Sequence, residues 1–536
     1  MNRILSLVAS AALLSGPSLW APDDLTHSEA TVSSGQSIVS PDGPLPAVNG
    51  AVPERQVEVD LPRRAAPRVS PEQLDVSVDT MVLPPLYPEE LEAARMPGKP
   101  MVIGRMVEVE LLPAQRGTWI DLDGGDRLWI MSFQTLTADW LRVKIDPFRP
   151  PPGTELVVYN PDVPDRSYGR YGPADVPPGA FWSPTVFGRE LRLEWYVPAE
   201  AAPRVTDSRL RISGVVQGFE GGRALGCDAG EAVDGGGRGC RIDVNCHPGW
   251  DTAAQGVAHI WFQCGIETCI CSGTMVNRIG GDFAQLFLTA AHCIGNEAEA
   301  NSLEFYWFFQ TDACSGTVPL LADVPRSDTA TLLGVDPDPD ISLVGITDEV
   351  PGGLTYLGWD SNPAPSGVDG YLLHHPCGEH KSISFGTWQG LDTGSCNSPV
   401  YTTNLLDLSD GGQEGGSSGG PSLDAAQLVR GVASCSSAPE CDCDPDEDAW
   451  QGSLHHGWGN VQWFLAPSST VYVNGAYAGP EKGTVGEPWN TIVEGYFGVL
   501  DGGTIYIETG TYPPFSFVGH RGMTLRARNG PVVIGQ

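Results

Sequence analysis

The chain is 536 residues long and carries 66 acidic against 31 basic side chains, a formal charge of -35. That balance argues against nucleic acid and anionic membranes as partners, because phosphate is bound through clustered lysine and arginine. The length exceeds one hydrophobic core and predicts three or four folded units at ~150 residues each.

The first segments read as export and linkage. Residues 1–21 open with MNRILSLVASAALLSG, in which Arg3 precedes an apolar run too short to span a bilayer; small residues follow near Ser18 and Ala21. This is the pattern of a signal peptide cleaved near one of those two positions. No later stretch has the length of a membrane span. Residues 22–100 are rich in Pro, Ala, Ser and acidic residues without sustained apolar periodicity. Such a composition cannot offset its own ordering entropy and predicts a linker or pro-segment.

From Met101 the texture changes to the short apolar runs MVEVELL, DRLWIMSF, WLRVKI, ELVVYN, LRLEWYV and LRISGVV, separated by turn residues. Their spacing predicts a β-sandwich over 101–222. The Gly-, Ala- and acid-rich stretch between Gly221 and Gly239 marks a boundary and the place most open to proteolytic cutting. A second all-β unit, 236–466, is strand-rich and bears most of the cysteines. After Pro467 the strings VYVNG, GTIYIETGTY, MTLRARNG and PVVIG recur at roughly one coil's spacing. They predict a short right-handed parallel β-helix over 468–536, with few coils and an open terminal strand suited to association with a surface or partner. The fold class is therefore all-β throughout.

Three strings of the second unit carry chemistry: LTAAHC ending at Cys293, DPDPDISLV ending at Val344, and EGGSSGGP ending at Pro421. His292, on an apolar strand, is the expected general base, since a near-neutral imidazole can take a serine proton and return it to a leaving amine. Asp340, the last acid before a buried strand, would orient that ring; Asp336 and Asp338 compete for the role. Ser418, flanked by Gly415, Gly416, Gly419 and Gly420, is the expected nucleophile on a tight turn. The same turn would aim the N–H groups of Gly416 and Ser418 at an oxyanion, where one donor is worth about 3 kcal/mol. The order His, Asp, Ser is that of chymotrypsin-like double β-barrel proteases, whereas α/β hydrolases and subtilisins order the same groups differently.

The residues resemble a particular branch of those enzymes. CSGTMVN from Cys271, LTAAHC, the DISL strand, HHPCGEHKSIS from His374, GGSSGGP and the opening CRIDVNC at Cys240–Cys246 are similar to the bacterial lysyl endopeptidases, which are secreted. The sandwich, with GTWIDLDGGDRLW and GAFWSPTVFG, resembles the pro-region of that family. The resemblance implies disulfides Cys271–Cys293, Cys240–Cys435 and Cys246–Cys314. Cys377–Cys396 and Cys264–Cys269 are added from proximity in sequence, and Cys227, Cys441 and Cys443 are left without assigned partners. It also implies a pocket acid late in the domain. Asp448 in EDAWQG is the best positional match, with Asp442, Asp444 and Asp446 open as alternatives, and an acidic surface loop is the plain reading of the same run.

Two positions depart from expectation. Trypsin-like zymogens carry an Asp directly before the catalytic serine to capture a new amino terminus, and here that position is Ser417. Where the family has a histidine soon after the nucleophile, this chain has Ser434 in GVASC. Only four lysines occur, Lys99, Lys144, Lys381 and Lys482, none of them at the pro-segment junction, so strict lysine specificity could not mature the chain there; Arg223 and Arg238 are available.

The expected function is a secreted serine endopeptidase acting on proteins or peptides after basic residues through a Ser418 acyl-enzyme, with no cofactor. The rival is an inactive protease fold kept as a binding or adhesion scaffold. The pairs His374–His375 and His455–His456 lack zinc-site spacing and are expected to be structural or to line the cleft. The acids of the last segment are too scattered for polysaccharide chemistry.

Overall fold

A computed structural model describes residues 67–68, 76–93, 100–175, 180–205, 209–219, 241–392, 402–437, 447–515 and 521–535, with the backbone of 48–49. The signal-peptide expectation, the 221–239 boundary and Cys227, Cys240, Cys396, Cys441 and Cys443 lie outside the described residues.

Two sheets face each other between residues 76 and 219. One is built on Arg127–Gln134, Glu190–Val197 and Glu155–Tyr159, the other on Trp140–Phe148, Leu210–Gly218 and Met101–Leu111. Residues 76–93, expected as linker, belong to the sandwich: Thr80–Val82 pairs with Arg127–Gln134, and Leu83, Leu86 and Leu91 are buried. Trp129, Met131, Phe133, Val143, Leu156, Leu193, Trp195 and Val215 fill the space between them. Packed sheets with alternating inward side chains are the sandwich arrangement.

The second of these sheets does not stop at the edge of the sandwich. Met101–Leu111 pairs on its free side with Glu267–Met275, Met101 opposite Ile270 and Arg105 opposite Glu267. The sheet thus runs on, as a twelve-stranded whole, through Val257–Cys264, Leu286–Thr289, Ile341–Ile346, Ala330–Asp336, Glu304–Trp307 and Arg326–Asp328. Trp140 packs on Trp261 at 5.1 Å and Phe187 on Trp261 at 6.0 Å, so the outer face of that sandwich sheet shares one core with the next unit, apart from the sandwich interior. Polar groups are buried at the same seam. Glu304 accepts from the Thr185 N–H at 2.7 Å and the Thr185 hydroxyl at 2.6 Å, and lies 3.6 Å from Arg142 and 3.4 Å from Arg326.

Six strands then close on themselves. Val368–His374, Ser382–Asp392, Thr403–Asp410, Glu447–Ser453, Val429–Ser436 and Pro421–Asp424 form a ring of antiparallel pairs returning to the first strand. Val257–Cys264, Glu267–Met275, Leu286–Thr289, Glu304–Trp307, Ala330–Asp336 and Ile341–Ile346 of the twelve-stranded sheet form the first barrel, a half-barrel, and this closed ring is the second. The helix Leu454–Leu465 follows it, burying Leu454, Val461, Phe464 and Leu465 at helical spacing.

The last segment forms a three-stranded parallel sheet of Ser468–Val473, Val499–Tyr512 and Thr524–Ile534, with Val471, Ile505 and Leu525 in register. Its first connection contains a helix, Ile492–Gly498, opened by the capping box of Thr491 and Glu494. Among the described residues it is a single sheet with a helical crossover, where successive coils of a β-helix were expected. Buried Arg278 ties it to the first barrel, donating to the carbonyls of Phe497 and Val499 while paired with Asp282.

Candidate active site

The first barrel delivers the imidazole and the carboxylate on neighbouring strands. Leu286–Thr289 pairs with Ile341–Ile346, Thr289 opposite Ser342, so the residues just beyond one end and just before the other are brought together. Those residues are His292 and Asp340. Asp340 takes the sparsely populated backbone φ of +56°, a strain of the kind that concentrates at functional positions. Its Oδ2 lies 2.7 Å from His292 Nδ1 and its Oδ1 accepts the His292 backbone N–H at 2.9 Å. A carboxylate only accepts, so Nδ1 carries the proton and Nε2 is left as the basic nitrogen.

A third donor reaches the same carboxylate. Ser434, on Val429–Ser436 of the second barrel, donates its hydroxyl to Asp340 Oδ2 at 2.6 Å. Burial of Asp340 acts to raise its pKa, but the charge and hydrogen bonds of His292, with the Ser434 hydroxyl, outweigh burial and hold it below the ordinary carboxylate range. Gly452 backs this corner: a Cβ there would meet the Asp340 carbonyl oxygen at 2.6 Å. Asp336 and Asp338 are engaged elsewhere, with Asn460 and Thr402 respectively.

Ser418 sits half-buried in a turn between barrels. Ser272 clamps that turn from the first barrel: its N–H donates to the Ser418 carbonyl at 2.7 Å and its hydroxyl to the Gly416 carbonyl at 2.9 Å. Gly419, at φ +82°, lets the turn press against the histidine loop, since a Cβ there would lie 2.1 Å from Thr289 Oγ1. The N–H groups of Gly416 and Ser418 have no acceptor among the described residues and remain available to a ligand oxygen. Ser418 Oγ makes no hydrogen bond among the described residues, and His292 Nε2 has the Cys293 sulfur 3.8 Å away. The structure therefore joins His292 to Asp340 and brings the Ser418 turn against the histidine loop, while the last hydrogen bond is open, as is common before substrate is bound.

Among the described residues three disulfides are complete, Cys271–Cys293, Cys246–Cys314 and Cys264–Cys269. The first ties the histidine loop to the strand carrying Ser272. Cys377 and Cys435 are also half-cystines, with partners outside the described residues. The one compact grouping of potential metal ligands among the described residues is Cys271, His292 and Cys293, whose two sulfurs are bonded to each other.

Asp448, expected in the pocket, is instead exposed on the outer face of Glu447–Ser453, opposite Asp407. Strand side chains alternate, so a shift of one residue changes the face. The buried acid is Glu447, 1% exposed, which accepts the Gln413 N–H at 3.1 and 3.3 Å. Gln413, five residues before Ser418, is in turn held by Gln451 at 2.7 Å. Asp442, Asp444 and Asp446 lie outside the described residues. His374 and His375 are buried and uncharged, His374 pushed by burial and by Arg241 to a pKa of about 3. His455 and His456 bond Ser361 and Ser453.

Residues 235–447 match the model of the family described as lysyl endopeptidase, C-terminal domain. A lysyl endopeptidase of Pseudomonas aeruginosa is 30% identical over 255 residues, covering 46% of this chain and 54% of that protein. The chain thus spans about half the length of that relative. Among solved structures, the active form of the Rv3671c protease of M. tuberculosis aligns with 17% identity and a TM-score of 0.29, covering 41% of this chain and 87% of that one. The HtrA-type protease AlgW aligns with 18% identity and a TM-score of 0.30, covering 40% and 62%.

Proposed function

We propose, from the premise that residues 235–447 belong to the lysyl endopeptidase family, that the chain is a serine endopeptidase. The observation that carries the reading is the double grip of Asp340 on His292, through Nδ1 and through the backbone N–H. It fixes the ring and its tautomer, so that Nε2 is the acceptor for the Ser418 proton. Ser418 Oγ would attack the scissile carbonyl. The developing oxyanion would take the N–H groups of Gly416 and Ser418, and the imidazolium, stabilised by Asp340, would return the proton to the leaving amine. Water would then repeat the sequence on the acyl-enzyme, with His292 again as base.

The preferred residue before the cleaved bond is basic in this reading. Its support is Glu447, a buried carboxylate beneath the loop that leads into Ser418; the exposed Asp448 is the lesser choice. Export is supported by the three disulfides, which persist in oxidising compartments. Among the described residues no helix is long and apolar enough to cross a membrane. The sandwich would act as a pro-domain fastened to the first barrel, separated by cleavage near Arg223 or Arg238.

Treatment with an aryl fluorophosphonate, which phosphonylates an activated serine, tests the reading. Wild type should be labelled at Ser418 and Ser418→Ala should not. A processed wild-type protein without Ser418-dependent labelling would sink the enzyme.

A further inference from the structure

The loop that carries Ser418 is fastened from a side the triad does not explain. Arg241 Nε donates to Glu414 Oε2 at 2.8 Å, across 173 residues of sequence, with the side chains only 12% and 5% exposed. Glu414 precedes Ser418 by four residues and closes the turn with its backbone. Its N–H donates to Ser417 Oγ at 3.0 Å and its carbonyl accepts the Ser417 N–H at 3.0 Å.

Ser417 extends the fastening. Its hydroxyl lies 2.6 Å from His374 Nδ1, His374 Nε2 lies 3.2 Å from Ser384 Oγ, and Ser384 donates to the Gly412 carbonyl at 3.1 Å. The proton directions are forced. A carbonyl can only accept, so the Ser384 proton goes to Gly412, Ser384 Oγ accepts from Nε2–H, and Nδ1 of the neutral ring accepts the Ser417 proton. Every member is satisfied when His374 is neutral. The loop is therefore gripped at Gly412 and Glu414, ahead of the Gly416 and Ser418 N–H groups, and at Ser417, between them.

The cation that completes the grip is itself rigidly presented. Ile242 and Asp243 pair with Ile383 and Ser382 of the second barrel. Asp243 accepts from Asn245 N, Thr311 Oγ1 and Ser315 N, and Cys246 is bonded to Cys314. A guanidinium held this way, facing a carboxylate away from water, does not depend on a newly made amino terminus.

We propose that Arg241 and Glu414 are positioning residues for the oxyanion site: their ion pair sets the loop so that the Gly416 and Ser418 N–H groups face the substrate carbonyl oxygen. Because the cation is a side chain, the site is assembled before the chain is cut upstream of Arg241. This rests on the endopeptidase reading, and it moves the loop-setting charge from the residue before the nucleophile, here Ser417, to a pair that exists in the uncut protein.

The full chain with Arg241→Met, Arg241→Lys, Glu414→Gln and the exchange Arg241→Glu with Glu414→Arg tests it. Arg241→Met and Glu414→Gln should slow phosphonylation of Ser418 and lower kcat on a peptide anilide at least tenfold, with KM within twofold. Arg241→Lys should fall between, and the exchange should recover part of the loss. Amide hydrogen exchange over residues 412–418 should quicken in Arg241→Met while the rest of the second barrel stays protected. Unchanged kcat and unchanged exchange in that variant overturn the proposal, as does a loss carried wholly by KM or by a lowered melting temperature. Absence of Ser418 labelling in the wild type sinks the endopeptidase reading instead, and the exchange measurement then still decides whether the ion pair sets the loop.

Discussion

Ser434 and Asp340, 94 residues apart and on different barrels, share a hydrogen bond of 2.6 Å. The contact makes the second barrel part of the support of the His292 ring, for Asp340 is what orients it. A hydrogen bond to a charged group contributes about 1.5–3 kcal/mol. Ser434→Ala should therefore lower kcat roughly ten- to a hundredfold. With one donor lost, the Asp340 pKa rises. A depressed carboxylate pKa gives stability that is present above its unfolded value and lost as pH falls through the folded value, so the variant's acid unfolding should begin at a higher pH. A wild-type acid limb with unchanged kcat would refute this role.

Glu447 and Asp448 make opposite predictions although they are adjacent. In the proposed reading Glu447 faces the cationic side chain of the substrate, and removing the charge of such a buried acid costs about 2–5 kcal/mol. Glu447→Gln should cut kcat/KM for substrates with Lys or Arg before the scissile bond by about a hundredfold, and Asp448→Asn should leave it within twofold. A peptide-library profile of both variants decides between them; the reverse pattern would return the pocket to Asp448.

Buried Glu304 is the polar centre of the seam between sandwich and first barrel, receiving Thr185 and facing Arg142 and Arg326. Glu304→Gln leaves buried Arg142 without its counter-charge and Arg326 with Asp328 alone, 3.4 Å away, and should destabilise the full chain by about 3–5 kcal/mol. Thr185→Val should cost about 1–3 kcal/mol. Urea unfolding measures both. A loss below about 1 kcal/mol for Glu304→Gln would mean the seam opens to water.

Lys381 is fully buried, donating to the Ala254 carbonyl at 2.6 Å and to Gln310 at 3.1 Å, with no carboxylate partner among the described residues. Burial lowers its pKa from 10.5 to about 7. Between those values the unfolded chain binds the proton that the folded chain releases, so this group makes stability rise with pH from about 7 to 10.5. Lys381→Met should flatten that rise. Urea midpoints at intervals across the window provide the check, and an unaltered slope would show that the amine stays charged.

Motif strings named His292, Asp340 and Ser418 because each is set by local sequence: an apolar strand end, an acid before a buried run, glycines around a turn. Ser434 was visible as a departure from the family, yet its hydrogen bond to Asp340 depends on how two barrels meet. Asp448 was chosen where the buried acid is its neighbour Glu447, because parity along a strand cannot be read from an irregular approach such as CDCDPDEDAW. The pairing of Met101–Leu111 with Glu267–Met275 and the contact of Arg241 with Glu414 are non-local, and no periodicity encodes them. The helix Ile492–Gly498 is different: Thr491 followed by Glu494 is a legible start signal, hidden by the strand-like strings on either side.

The strand shared by sandwich and barrel bears on the order of assembly. Residues 101–105 leave the ribosome long before residues 267–270, their partners across the sheet. A sandwich that folds first presents a ready edge on which the barrel's opening strands can align, turning a slow long-range search into templated growth. A unit of residues 241–466 made without residues 76–219 would have to align its opening strands without that edge, and slow, aggregation-prone refolding of the isolated unit is the expected cost.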